Sequence, residues 1–140
     1  MLAIDVGGRR IGLAISDPSG TLARPLATLL VKSAAEGIER VAGEIGRLER
    51  DEDGLSSIVV GLPVRLDGLP SDQTPRVAAF IDGLRVRTSV PIVTADERLT
   101  SREAESRLSV LEPDWRKRKA KLDAAAAAII LQEYLDRPHG

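Results

Sequence analysis

Apolar positions along the first thirty residues fall in short runs broken by turn residues. "LAIDV" (2–6) and "IGLAIS" (11–16) read as strands, and a third strand is predicted within "TLARPLATLLV" (21–31). Between the first two lies Gly7-Gly8-Arg9-Arg10, a short turn in which glycine is expected to supply positive φ. "DPSG" (17–20) suits a type I turn, with Asp17 first, Pro18 second and Gly20 fourth. Three consecutive strands joined by tight turns make an antiparallel meander.

The period then changes. Ser33-x-x-Glu36 is a capping box, and Ile38, Val41, Ile45 and Leu48 follow at helical spacing until "DEDG" (51–54) ends the helix. "SIVVGL" (57–62) is a continuous apolar run, the mark of a central strand covered on both faces. Thr74-Pro75 opens a helix with proline at its first position, and Val77, Phe80, Ile81 and Leu84 form its stripe. "PIVTA" (91–95) is a further strand. Thr100-x-x-Glu103 is a second capping box, which opens a helix after Glu97 that ends near Leu111, before Pro113. A last helix is predicted from about 120 to 136. The order βββαβαβα plus a C-terminal helix predicts an α/β fold. A single domain over residues 1–140 is expected, with one five-stranded mixed sheet flanked by helices and a short tail at about 137–140. Helical crossovers should set the later strands parallel to the first.

Composition narrows the chemistry. Of the 140 residues 43% are hydrophobic, enough for a core, and 20 Lys and Arg balance 21 Asp and Glu, so any polyanion surface must be a local patch. There is no cysteine, which removes disulfides, thiolate metal sites and cysteine nucleophiles. The one histidine is His139, next to the C-terminus, which argues against a Ser-His-Asp triad or a histidine zinc site. Aromatic residues make up 2%, too few for base-stacking platforms. The longest apolar run, "AAAAAIIL" (124–131), is far short of the ~20 residues of a membrane span, and no signal-peptide pattern opens the chain. A soluble, cytoplasmic protein with no membrane partner is expected.

One residue breaks the pattern. Asp5 stands inside an apolar strand, where a charge is costly unless it has a partner. It lies near the C-terminal end of the first strand, and Glu97 lies just past the end of the 91–95 strand. In open α/β sheets, sites gather at the carboxyl ends of parallel strands. Asp123 precedes Ala126, Ala127 and Ile130 on one helical face, so it is placed to face the sheet, and the small residues of "DAAAAA" let that helix come close. Three clustered carboxylates repel one another unless a divalent cation neutralises them, which points to Mg²⁺ or Mn²⁺ and to phosphodiester displacement. Plainer roles compete: Asp5 as a turn cap, Asp96 or Glu97 at the positive end of a helix, Asp123 as an N-cap, and the basic run 115–121 as a solvated surface.

"IDVGGRRIGLAISD", "IVVGLPVRLDG", "TADERLTSREAE" and "KLDAAAAAIILQEYL" together resemble the YqgF family, also called RuvX, over Leu2 to Leu135 and in the family's motif order. The resemblance implies a relative of the RuvC Holliday-junction resolvases with the RNase H-like fold. It carries the family's catalytic and metal-holding acids onto Asp5, Glu97 and Asp123. The implied activity is Mg²⁺- or Mn²⁺-dependent hydrolysis of phosphodiesters in structured nucleic acid, above all maturation of the 5′ end of pre-16S rRNA. Arg65 stands where the family usually has Asn, and "GGRR" is more basic than the usual first turn. Both departures bear on substrate contacts.

On this reading Arg9, Arg10, Arg98, Arg116, Lys117, Arg118, Lys119 and Lys121 hold phosphates, and the protein acts as a monomer or homodimer. The alternatives are a Holliday-junction resolvase acting on branched DNA and a non-catalytic RNA-binding module on ribosomal precursors. An ATP-handling relative needs two such domains and lacks a Walker A sequence here.

Overall fold

The computed structural model describes residues 1–64, 67, 69–96 and 115–137, and for 115–122 it describes the backbone alone. The predicted meander is present: β1 (Leu2–Val6), β2 (Arg10–Ser16) and β3 (Ala23–Leu30) pair antiparallel in sequence order. Then come α1 (Ala34–Arg50), β4 (Ile58–Leu62), α2 (Thr74–Arg85), β5 (Ile92–Asp96) and α3 (Trp115–Asp136). The five strands form one sheet in the order β3-β2-β1-β4-β5, with β4 and β5 parallel to β1. β1 is therefore the middle strand, flanked on both sides.

Side-chain parity divides the sheet into two unlike faces. Leu2, Ile4, Val6, Ile11, Leu13, Ile58 and Val60 point to one side and meet Val41, Ile45 and Leu48 of α1 and Val77, Phe80, Ile81 and Leu84 of α2. The other side carries Ala3, Ala14, Val59 and Ala95, which pack against Ala127, Ile130 and Leu131 of α3.

The turns refine the sequence reading. Asp17 accepts the Gly20 N–H on its carbonyl at 3.0 Å, and Gly20 has φ of 70°. The Asp17 carboxylate also takes the Ser19 hydroxyl and the Thr21 and Leu22 amides. Gly7 and Gly8 do not take positive φ, contrary to expectation. The reason for Gly7 is close approach: its N–H donates to Arg10 O at 2.8 Å, and a Cβ there would stand 2.6 Å from that oxygen. Ser33 caps α1 by accepting the Glu36 N–H, while the Glu36 carboxylate takes the Lys32 amide, one residue earlier than the standard box. Helix α2 has Gln73 as its N-cap, so Pro75 sits at the second helical position rather than the first.

The largest difference is α3, which starts at Trp115 instead of near 120. The run "RKRKAK" consists of straight-chain residues and alanine, all good helix formers, and the helix continues through it. The helix predicted over roughly 97–111 lies outside the described residues.

Candidate active site

Asp5 sits on β1 between Ile4 and Val6, and its parity is that of Ala3, so its side chain belongs to the α3 face. It is 9% exposed, one of two buried polar residues with Ser16 among the described residues. Its cross-strand partner on β2 is Gly12. Gly12 is where α3 touches the sheet. A Cβ built there would collide with the Asp123 carbonyl group and stand 2.8 Å from the Ala124 nitrogen. The Asp123 peptide thus lies on the strand beside Asp5, with the two Cα atoms within about 11 Å by standard backbone dimensions. Asp123 Oδ2 is shielded from solvent, so its carboxylate does not simply face water.

Asp123 is not an N-cap. It stands in the third turn of α3, which removes the plainer role that its position before the alanine run suggested. The 7–9 turn beside Asp5 closes through the Gly7 N–H and the Arg10 carbonyl. Asp96 ends β5 opposite Leu62 and is exposed; by parity with Ile92 it belongs to the α1/α2 side, away from Asp5. Glu97, the third predicted acid, lies outside the described residues. The register from β1 through β4 to β5 does put the C-terminal ends of these strands at one sheet edge.

The buried Asp5 carboxylate and Asp123, whose Oδ2 is shielded from solvent, are hard oxygen donors of the kind Mg²⁺ and Mn²⁺ take, and the chain has no cysteine to offer a sulfur ligand. Among the described residues no group of three or more His, Cys, Asp or Glu forms a metal-binding cluster. The donor set is thus compatible with a hard divalent ion, with Asp5 and Asp123 as the described members.

The basic groups gather at the same edge. Arg9, Arg10 and Lys32 line a depression of about 450 Å³ with Leu30 and Val31. The Val31 N–H donates to Arg9 O at 2.9 Å, which ties the first turn to the end of β3. Arg76, in the first turn of α2, brings its guanidinium beside Gly8, 3.3 Å from where a Cβ would stand. Arg9 and Arg10 were legible as a basic turn. Lys32 and Arg76 were not, because each is an isolated cation in the sequence and only the fold brings them near that turn. Arg98 lies outside the described residues. Arg116, Lys117, Arg118, Lys119 and Lys121 are on the opening turns of α3, with their side chains outside the description, and Arg65 is not described.

A second concavity, about 580 Å³, is at the opposite end of the sheet and includes Met1, Ser16, Asp17, Arg24, Arg47 and Asp51. Its charges are of both signs. Burial, more than the opposing pull of Asp17, lowers the Met1 amine pKa, and that amine donates to Ser16 Oγ at 2.9 Å. The Asp17 carboxyl is held below its ordinary range by the Ser19 hydroxyl first, then by the Leu22 and Thr21 amides. This cavity shares no residue with the Asp5 edge.

Comparison with known proteins agrees with this layout. The sequence profile of a family described as "RuvX: Holliday junction resolvase" matches residues 1–137. A protein of Chloroflexus aurantiacus named "Putative pre-16S rRNA nuclease" is 46% identical over 136 residues, covering 97% of this chain and 86% of its own. One of the same name from Desulforudis audaxviator is 38% identical over 136 residues, covering 97% and 93%. Among solved structures, Thermus thermophilus RuvC in complex with a Holliday junction substrate superposes with a TM-score of 0.52 at 17% identity, covering 96% of this chain and 93% of that one. The fowlpox virus resolvase in complex with Holliday junction DNA does so with a TM-score of 0.53 at 15% identity, covering 97% of each chain. At these identities the structures establish the fold, which is RNase H-like, and the sequence relatives establish the family: this chain belongs to the RuvX family of nucleases.

Proposed function

We propose that this protein is a Mg²⁺- or Mn²⁺-dependent endonuclease that acts as one domain and processes the 5′ end of pre-16S rRNA, with Asp5, Glu97 and Asp123 as its catalytic and metal-holding acids. The observation that carries the reading is the placement of Asp5: a buried carboxylate on the middle strand, opposite the glycine on which the Asp123 peptide rests. The relatives' names supply the RNA substrate; the family description supplies the second reading, resolution of branched DNA.

When bound, divalent ions would neutralise charge on the attacking and leaving oxygens of the phosphodiester. The chain's own residues do the rest. Asp5, on a strand fixed by ladders on both sides, and Asp123, seated by its helix against β2, hold their carboxylates on rigid elements. Arg9, Arg10, Lys32 and Arg76 take phosphates flanking the scissile bond and fix the strand's path along the sheet edge. Water attacks phosphorus and gives up a proton, the bond to the leaving sugar oxygen breaks, and that oxygen takes up a proton, so the two transfers balance.

Cleavage of three substrates distinguishes the readings: a precursor rRNA fragment spanning the 5′ processing site, a four-way DNA junction, and a plain single strand, each with Mg²⁺, Mn²⁺ or EDTA. Cutting of the precursor that needs metal and stops with Asp5→Asn is the expected result. Preferential cutting of the junction moves the assignment to a resolvase. Binding of the precursor without cleavage under any metal identifies a non-catalytic RNA-binding module.

A further inference from the structure

We propose that Gly12 is a positioning residue for the metal-holding acids: its missing side chain sets how close Asp123 comes to Asp5. The proposal rests on the reading of those two acids given above and deepens it. Gly12 is directly opposite Asp5 in the β1–β2 ladder. A Cβ on it would collide with the Asp123 carbonyl carbon and oxygen and lie 2.8 Å from the Ala124 nitrogen, where real Cβ contacts stay beyond 3.0 Å. All three obstructing atoms are backbone, so no side-chain rotation relieves them. The other tight glycines in the packed layers differ. Gly37 and Gly83 would meet the tips of Ile11 and Ile38, at 2.8 and 2.6 Å, and an aliphatic tip can turn away. Gly12 alone among these three sets a backbone-to-backbone distance.

The seat continues along β2. Ala14, two residues on and of the same parity, is fully buried in one cluster with Ala127, one turn beyond Asp123. Glycine and then alanine therefore form a thin strip on which α3 lies. A methyl group at Gly12 must lift the helix by on the order of 1 Å at Asp123, and displacement of that size in a catalytic group costs about 10²-fold in rate. The effect should depend on the ion. Mg²⁺ demands near-ideal octahedral ligands at ~2.1 Å, whereas Ca²⁺ takes longer and more variable ones.

The test uses the full chain and four variants: Gly12→Ala, Ala14→Val, Gly83→Ala and Asp123→Asn. Thermal melts titrated with Mg²⁺ and separately with Ca²⁺ give ion affinities without turnover, and steady-state cleavage separates kcat from KM. Gly12→Ala is expected to weaken Mg²⁺ about tenfold or more but Ca²⁺ far less, and to lower kcat about 10²-fold with KM for nucleic acid unchanged. Ala14→Val should show the same pattern more weakly. Gly83→Ala, on the opposite face, should leave Mg²⁺ affinity and kcat in place. A Gly12→Ala protein that melts lower yet keeps its Mg²⁺ affinity and kcat overturns the proposal, as does an equal loss in Gly83→Ala. Should Gly12→Ala not fold, Ala14→Val decides, and an unchanged Mg²⁺-to-Ca²⁺ preference there is fatal. Asp123→Asn separates the two claims: if it keeps both Mg²⁺ response and cleavage, the underlying assignment falls; if it loses both while Gly12→Ala does not, only the positioning claim falls.

Discussion

The two faces of the sheet are built from the same five strands and do opposite jobs. One is thick: Leu2, Ile4, Val6, Ile11, Leu13, Ile58 and Val60 meet two helices through interdigitated branched side chains. The other is thin: Ala3, Gly12 and Ala14 let the backbone of α3 come down onto the strands, and on this face Asp5 is buried. Large aliphatic groups supply most of the transfer free energy but hold helix and sheet apart and leave no room for a charge. Small residues contribute less burial and let the backbone of α3 at Asp123 come down onto the strand beside Asp5. Stability is thereby concentrated on one side of β1 and the candidate chemistry on the other, and alternation along a single strand, Ile4 then Asp5, keeps them apart.

Changing those two neighbours is the strongest way to break this comparison. Asp5→Asn should lower metal-dependent cleavage on the order of 10³-fold or more, and Asp123→Asn should do the same, with the double variant little worse than either because the groups act together. Mg²⁺ should raise the melting temperature of the wild type by binding the native state, and raise that of Asp5→Asn much less. Ile4→Val, one residue away on the thick face, should cost about 1 kcal/mol of stability and leave kcat alone. Full activity in Asp5→Asn, or a large kcat loss in Ile4→Val, would dissolve the division of labour.

Packing itself should respond with opposite sign of volume on the two faces. Leu13→Ala on the thick face leaves a cavity and should cost about 2–5 kcal/mol in denaturant unfolding. On the thin face the sensitivity is to enlargement: Ala3→Val, fully buried two residues before Asp5, should cost about 1–3 kcal/mol through overpacking and also depress cleavage. If Ala3→Val is neutral in both stability and rate, the thin face is not close-packed.

How much of this was legible beforehand depends on whether the deciding contact is local. The element order and the parallel setting of β4 and β5 follow from period and connection rules, and Asp5 stood out because a charge interrupts an apolar run. Asp123 was marked by the alanines after it, yet the start of its helix was placed about five residues late, because a charged run reads as surface until its helix propensity is weighed. Gly12 read only as part of a strand. A glycine there signals close approach by something, but the sequence does not say that the partner is residue 123, over a hundred positions away. The Gly7-Gly8 turn was misread for the reverse reason: a familiar local rule about positive φ displaced the simpler fact that Gly7 has no space for a Cβ.

The sheet edge can be tested through salt. Replacing Arg9, Arg10 and Lys32 with Ala should weaken nucleic-acid binding and reduce the slope of log affinity against log salt by about three, one for each lost phosphate contact. The Arg116, Lys117, Arg118 and Lys119 quadruple replacement tests the opening turns of α3 in the same way. Since both sets flank the thin face, neither should alter the Mg²⁺ shift of the melting temperature. A slope that stays unchanged in the first variant would remove the β1–β2 turn from the binding surface.

The smallest effect is expected at Thr28, which pairs with Gly12 on β3 and by parity shares the α3 face. Its Oγ1 is shielded from solvent and has no hydrogen-bond partner among the described residues. A buried hydroxyl in that state costs about 1 kcal/mol or more, and valine has nearly its shape and at least its strand preference. Thr28→Val should therefore stabilise the protein by roughly 1 kcal/mol, seen as a rise of about 3 °C in melting temperature. Among the described residues no buried side-chain hydroxyl without a partner lies on the thick face, so no equivalent gain is available there. The sign is the informative part. A rise locates an unsatisfied polar group on the same face as Asp5, one pair beyond Gly12, and marks that face as the less stably packed of the two. A fall shows that the hydroxyl is satisfied in solution, and the thin face then has its polar groups as fully matched as the thick face has its aliphatic ones.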